Sequence, residues 1–251
     1  MSEKIVTIHF VGTHGPESGR RVIGFVHGLG GDSKSTWTGS NNTYWPALVR
    51  SDAAFADADV FTVEYDTRAK GYTPNVRNIA IALRAEMLAA GINRYAAMAF
   101  LGHSLGGIVL RWLLCDDALR HDGALWARTR LLMTYSSPFL GCDGARLASY
   151  LMVESGQVKE VVAPSEMLTQ LARDWKQVRQ AAGKQPAVRA AWEKPRLKED
   201  WFMSEQSSTD GCDGPFIAIP ENHRNVVKPD GAQHPSHVAF ASAYRDAFAA
   251  A

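Results

Sequence analysis

The chain has 251 residues, of which 46% are hydrophobic and 21% charged, a composition typical of a globular protein that buries a substantial core. Its 27 basic and 26 acidic residues nearly balance, so the charge gives no support for a nucleic-acid partner or an anionic membrane surface. The three cysteines are too few and too scattered for a disulfide framework or a zinc site.

The first part of the chain alternates predicted strands with predicted helices. Strands are expected at 5–11, 21–26 and 60–65, and a short helix at 45–51. A longer helix is predicted over 75–90, because Asn75 can cap its first turn, apolar residues recur at four-residue spacing and Gly91 can end it. This alternation is typical of a parallel sheet with helices on both faces.

The most informative stretch is 102–106 (GHSLG), which matches G-x-S-x-G around Ser104. A short apolar run at 98–101 predicts a buried strand before it, and 107–114 predicts a helix after it. A serine between such a strand and helix lies on a sharp turn, where the helix N-terminus directs its N–H groups at the reaction centre. A chance match is the alternative, but the flanking pattern favours Ser104 as a nucleophile.

The pattern changes in the second half of the chain. A strand is predicted at 130–135, followed by helical segments without a clear strand from about 142 to 198, then strands at 201–203 and 215–219 and a helix at 235–250. Within the helical stretch, five apolar residues fall on one helical face: Met167, Leu168, Leu171, Trp175 and Val178. That face could pack on the body of the domain or belong to a cap that covers a site, and both interpretations stay open.

A serine nucleophile needs a base to take its proton and an acid to orient that base. In the strand–turn–helix arrangement the chain order is serine, acid, histidine, so the base must come late in the sequence. His223 lies just past the predicted strand 215–219, and catalytic groups lie beyond the carboxyl ends of such strands. His234 and His237, in or beside the last helix, are expected to be structural or surface groups.

The acid is expected after the preceding predicted strand, at 201–203. Glu205 follows that strand directly, whereas Asp210 and Asp213 lie further along. Aspartate is the commoner choice for this role and favours Asp210, but position relative to the strand end favours Glu205. We prefer Glu205, with Asp210 as the alternative, because the role requires geometry before residue type.

Two backbone N–H groups are expected to stabilise the oxyanion of the reaction. One belongs to Leu105, the residue after the nucleophile, and the other to Leu29 in the glycine-rich loop 27–31 (HGLGG). The alternative is a turn with no catalytic part, and the loop lacks the Lys-Ser/Thr ending of a nucleotide-binding loop. His27 and His103 are expected to hold loop backbone in place.

Three of these segments resemble lipases of the α/β-hydrolase fold, most closely the group that contains the serine-active-site-containing protein and the GPI inositol-deacylases. They are 25–32 (FVHGLGGD) followed by Trp37, 100–109 (FLGHSLGGIV), and 222–229 (NHRNVVKP). A fourth segment, 202–209, is weakly similar to the acid segment of that group and adds weight to Glu205. One departure is Phe139, which follows Pro138 where the group usually has histidine.

The resemblance implies an α/β-hydrolase fold, with a mostly parallel central sheet flanked by helices and a helical cap insertion at approximately 142–198. We therefore expect a serine hydrolase that cleaves small-molecule or lipid esters without a cofactor or a metal. A non-catalytic binding or scaffold protein, an amidase and a thioesterase are the alternatives. No stretch has the apolar length of a membrane span or a signal peptide, so a single cytoplasmic domain over 1–251 is expected.

Overall fold

The computed structural model describes residues 4–15, 20–67, 74–142, 160, 162, 165–181, 185–195 and 203–249. The strands in this part of the chain are β1 (Val6–Phe10), β2 (Arg21–Val26), β3 (Ala58–Tyr65), β4 (Ala97–His103), β5 (Thr129–Tyr135), β6 (Ala187–Glu193) and β7 (Ile217–Ile219). They form one seven-stranded sheet in the spatial order β1-β3-β2-β4-β5-β6-β7. β1 runs antiparallel to β3, and the other neighbouring strands are parallel.

Helices flank this sheet on both faces. Those described are α1 (Trp45–Ser51), α2 (Val76–Ala89), α3 (Leu105–Arg120), α4 (Ala124–Arg128), α5 (Glu166–Gln180), α6 (Glu205–Thr209) and α7 (Pro235–Ala249). At the start of α2, the Asn75 side chain accepts a hydrogen bond from the Asn78 N–H at 2.8 Å, which is the predicted cap. Gly91 then has a φ of 73°, the left-handed conformation expected just past a helix end.

Side chains of the central strands alternate between two buried clusters, as the period of a strand requires. Along β4, Met98 and Phe100 join the cluster covered by α2, α3 and α5, whereas Ala99 and Leu101 join the cluster covered by α1 and α7. The second cluster is rich in aromatic rings, with Phe25, Trp37 and Trp45 among them. A sheet buried on both faces leaves its strand ends as the place for polar groups.

The prediction of helical segments without a strand over 142–198 is wrong at its C-terminal part. β6 lies in that stretch and pairs in parallel with both β5 and β7. Its alanine-rich sequence, AVRAAWE, has no strong strand propensity, and only burial between two neighbours makes it a strand. Of the strand predicted at 201–203, Met203 is not in a strand, and residues 201–202 lie outside the described part of the chain.

The apolar face predicted around Trp175 is buried on the body of the protein. Leu168, Leu171, Trp175 and Val178 on α5 belong to the same buried cluster as the apolar residues of α3. Trp175 also donates a hydrogen bond to the Gly211 carbonyl at 2.9 Å. Of the two interpretations left open for this face, packing on the domain body is the one that these contacts support. No helix in the described residues is long and apolar enough to cross a bilayer.

Candidate active site

Ser104 lies on the sharp turn between β4 and α3. Its φ of 53° and ψ of −123° are unusual for a residue with a side chain, and the Ser104 N–H donates to the Tyr135 carbonyl at 2.9 Å. Gly106, in the first turn of α3, packs so closely on the end of β2 that a Cβ there would collide with the carbonyl oxygens of Val26 and His27. The turn is therefore held by backbone contacts with the strands on either side.

The glycine-rich loop after β2 lies directly against this turn. A Cβ on Gly28 would be 2.7 Å from the Cβ of Ser104 and 3.3 Å from its hydroxyl oxygen, so only glycine allows this approach. The loop helps to bury Ser104, of which only 2% is exposed. Of the two predicted oxyanion donors, Leu105 is the first residue of α3, and Leu29 follows Gly28 in the loop that packs on Ser104.

Two aromatic side chains fix the start of that loop. The His27 ring stacks on Tyr65 with 4.1 Å between centroids, and the Tyr65 hydroxyl donates to the His27 carbonyl. His27 Nδ1 lies 2.9 Å from the Gly28 carbonyl oxygen, to which it donates when Nδ1 carries the proton. Further along, the Gly30 N–H donates to the Thr67 hydroxyl oxygen at 2.8 Å. His27 thus has the loop-holding role expected for it.

His223 follows β7 and is fully buried. Its Nδ1 lies 2.6 Å from Oε2 of Glu193, the last residue of β6, whose side chain is also buried. Burial of both partners makes this contact far stronger than the same contact in water, because the local dielectric is low. An Nδ1–H held by a carboxylate leaves Nε2 as the ring nitrogen for proton exchange.

His103 ties the His223 backbone to the serine turn. Its Nε2 lies 2.9 Å from the His223 carbonyl oxygen, and the two rings are 4.8 Å apart. Burial, reinforced by the neighbouring His223, lowers the pKa of His103 well below its usual range. His103 is therefore a neutral imidazole at physiological pH and can donate from Nε2. This agrees with the structural role expected for a residue adjacent to Ser104.

The carboxylate that contacts His223 belongs to Glu193, whereas the sequence predicts Glu205, or Asp210 as its alternative, for this position. Glu205 is the exposed first residue of the short helix α6. The Asp210 backbone carbonyl accepts a hydrogen bond from the buried Arg111. The Asp213 carboxylate accepts from the Val188 N–H near the start of β6, at the opposite end of that strand from Glu193.

Glu193 is locked in place by two further hydrogen bonds. Its Oε1 accepts from the Met203 N–H at 3.1 Å, and its own N–H donates to the Ser136 hydroxyl at 3.0 Å. Each oxygen of the carboxylate therefore has a hydrogen-bond partner within the protein interior. The sequence carries one signal for it: Pro186 and Pro195 bracket a short run that suits a strand, and Glu193 lies one residue before the end of that run.

A cavity of about 280 Å³ opens beside the turn. It is lined by Gly28, Leu29, Gly30, Gly31, Ser35, Thr36, His103, Arg224 and Lys228. The cavity therefore joins three parts of the site: the loop packed on Ser104, the residue before Ser104 and the residue after His223. Within the described residues, no group of three or more His, Cys, Asp or Glu side chains is placed to hold a metal ion.

Comparison with known proteins gives matches in structure alone. No protein-family model matches the sequence, and no curated protein matches it. Among solved structures, the mature lipase BlEst2 from Bacillus licheniformis is 13% identical, with 89% of this chain and 92% of that one covered at a TM-score of 0.62. The phospholipase PlaB from Legionella pneumophila is 14% identical, with 93% of this chain but only 62% of that one covered, at a TM-score of 0.67.

The chain has the α/β-hydrolase fold. A mutant of the N-acyl homoserine lactonase AidH bound to N-hexanoyl homoserine lactone also matches, with 98% of this chain and 96% of that one covered at 13% identity and a TM-score of 0.55. At such identities the likeness shows the hydrolase fold, and the fold by itself does not define a reaction. The narrower resemblance to GPI inositol-deacylases stays a prediction.

Proposed function

We propose that the protein is a serine hydrolase that cleaves carboxylic esters through an acyl-enzyme intermediate. The observation that carries the proposal is the buried contact of 2.6 Å between His223 Nδ1 and Glu193 Oε2, at the carboxyl ends of the parallel strands, where the Ser104 turn also lies. A buried carboxylate on one ring nitrogen is what a general base needs, because it fixes the tautomer and stabilises the imidazolium ion. Solved lipases and a lactonase with the same fold support this class of chemistry.

In the proposed reaction, Ser104 Oγ attacks the ester carbonyl carbon while His223 Nε2 accepts the hydroxyl proton. The carbonyl oxygen becomes an oxyanion, which the N–H groups of Leu29 and Leu105 stabilise. Collapse of this intermediate breaks the bond to the alcohol oxygen, and His223 returns the proton to that oxygen. Water, activated by His223, then attacks the acyl-serine ester and releases the acid.

The test is hydrolysis of p-nitrophenyl esters with short, medium and long acyl chains by the wild-type protein and the Ser104→Ala variant. We expect the variant to lose activity by about 10⁴-fold or more, because no other group forms the acyl-enzyme. Circular dichroism of the variant is the control for folding. A folded wild-type protein that hydrolyses none of the esters, or a variant that retains the activity, would contradict the proposal.

A further inference from the structure

The cavity beside Ser104 has an unusual charge for a site that would accept an ester. Its lining includes two cationic side chains, Arg224 and Lys228, and no carboxylate from the described residues that line it. His103, also in the lining, is neutral because burial lowers its pKa. The remaining lining consists of glycine backbone, one leucine and the hydroxyl residues Ser35 and Thr36. The cavity wall is therefore polar and carries net positive charge.

One acidic side chain that acts on Lys228 lies outside the lining of the cavity. Asp32 acts electrostatically on Lys228, but it does not line the cavity. Its Oδ1 accepts from the N–H groups of Lys34 and Ser35, and its Oδ2 accepts from the Ser35 hydroxyl. These bonds tie the Asp32 carboxylate to its own loop, from which it favours the charged form of Lys228 without lining the cavity.

The ammonium group of Lys228 is held by one hydrogen bond and has further N–H groups that can donate to a ligand. Its Nζ donates to the Ser35 carbonyl at 2.7 Å, which occupies one of the three N–H groups of an ammonium. Burial lowers the pKa of Lys228, and the positive charge of Arg224 lowers it further, whereas the negative charge of Asp32 opposes both effects. An anion bound between Arg224 and Lys228 would offset both the burial of the Lys228 ammonium and the repulsion between the two cations.

The position of the cations relative to His223 indicates which part of the substrate they would meet. Arg224 follows His223 directly in sequence, and Lys228 is the next cation along the same segment. In the proposed reaction, His223 delivers a proton to the leaving oxygen, so the leaving alcohol must lie on the His223 side of the scissile bond. The loop 28–31 completes the other wall of the cavity. The volume of about 280 Å³ is at the small end for ligand sites, which fits a compact polar group better than an acyl chain.

We propose that this cavity binds an anionic group, a phosphate or a carboxylate, carried by the alcohol portion of the ester substrate. Arg224 and Lys228 would pair with that anion and so position the scissile carbonyl over Ser104. This inference rests on the proposed function for the place of the anion in the reaction. The existence of the anion site itself is testable without catalysis.

The activity test compares three butyryl esters that differ only in the alcohol. They are 1-butyrylglycerol, 1-butyrylglycerol 3-phosphate and O-butyrylglycolate, and release of acid is followed by titration at constant pH. We expect kcat/KM to be about tenfold or more higher for at least one anionic ester than for the neutral ester. Whichever anionic ester shows the larger increase in kcat/KM over the neutral ester indicates whether the cavity prefers a phosphate or a carboxylate. In the double variant Arg224→Gln/Lys228→Gln, the ratio of anionic to neutral kcat/KM should fall about tenfold, mainly through KM.

The matched control is the double variant Arg173→Gln/Lys176→Gln, which removes the same two charges from the exposed face of α5. We expect it to retain the wild-type ratio within about twofold. Equal kcat/KM for the neutral and anionic esters in the wild-type protein would overturn the inference. An equal fall of the ratio in both double variants would also overturn it, because the preference would then come from net charge.

Binding of inorganic phosphate gives a readout that does not depend on catalysis. We expect phosphate to shift the amide NMR signals of residues 28–31 in ¹⁵N-labelled wild-type protein, and to do so far less in Arg224→Gln/Lys228→Gln. Phosphate shifts without ester hydrolysis would retain the anion site and refute the proposed hydrolase. Hydrolysis of the neutral ester, with neither phosphate shifts nor anionic preference, would retain the hydrolase and refute the anion site.

Discussion

The two sides of the candidate site are built in different ways. On the serine side, the turn 102–106 and the loop 27–31 are short contiguous segments that follow β4 and β2 near the middle of the sheet. On the histidine side, Glu193 and His223 are 30 residues apart and meet only because β6 and β7 end beside each other at the sheet edge. The first side is encoded in local sequence, and the second depends on which strands become neighbours.

The largest effect on activity is expected from a substitution of Glu193, the carboxylate that contacts His223. Glu193→Gln keeps the shape of the side chain but removes the charge that would stabilise the His223 imidazolium. We expect kcat for p-nitrophenyl butyrate to fall by about three to four orders of magnitude. Measurement of kcat across pH would separate this loss from a shift of the pH optimum.

The matched control is Glu205→Gln, which makes the same change at the residue that the sequence alone favours as the acid. Glu205 is exposed at the start of α6, so the variant should keep wild-type kcat within about twofold. A large loss in Glu205→Gln together with a mild one in Glu193→Gln would reverse the assignment of the acid. Thermal unfolding of both variants checks that each is folded.

A smaller effect on kcat is expected on the serine side, from a substitution in the loop 27–31 that packs against Ser104. Gly28→Ala introduces a methyl group 2.7 Å from the Ser104 Cβ, so the loop must move and the Leu29 N–H with it. Loss of one oxyanion donor lowers kcat by about 100-fold. Gly231→Ala, where no heavy atom lies within 4 Å of the added carbon, should have kcat close to wild type. Equal kcat for the two variants would show that the loop has no part in catalysis.

The smallest effect on activity is expected at the other end of the sheet. Burial by itself would raise the pKa of Asp59, but hydrogen bonds from Arg20, the Gly15 N–H and Tyr95 lower it. A lowered pKa means that the stabilisation is complete above about pH 4 and is lost as the pH falls through the pKa of the folded protein.

Asp59→Asn should therefore lower the free energy of unfolding by about 1–3 kcal/mol at pH 7. It should also make that free energy fall less between pH 7 and pH 3. Urea unfolding at pH 7 and at pH 3 measures both quantities. Ester hydrolysis should stay within about twofold of wild type, because Asp59 lies near the amino end of β3, away from the site. A folded Asp59→Asn variant that loses much more than twofold of the wild-type rate of hydrolysis would contradict the separation of the two ends of the sheet.

Most of the fold was predictable because its elements carry strong local signals. β2 and α1 have the predicted bounds, and α2 has the predicted cap at Asn75. The turn around Ser104 also lies where its flanking strand and helix predict it. Each of these depends on contiguous residues, whose spacing and turn chemistry are visible in the sequence.

The acid could not be predicted in the same way. Alanine and glutamate in 187–193 favour a helix in isolation, and only the pairing of β6 with β5 and β7 makes this segment a strand. Without β6, the strand that precedes 215–219 is predicted at 201–203, which places the expected acid at Glu205. The missed strand therefore explains why Glu193 is not among the predicted acids, whereas the prediction of His223 depends on β7, which lies within the predicted strand 215–219.

The most direct measurement is the reaction of the wild-type protein with a fluorophosphonate, followed by peptide mass spectrometry and by the labelling rate. We predict one adduct, on Ser104, formed much more slowly in Glu193→Gln and at an unchanged rate in Glu205→Gln. An unlabelled wild-type protein, an adduct on another residue, or a rate insensitive to Glu193 would contradict the assignment of Ser104, His223 and Glu193 as the catalytic residues.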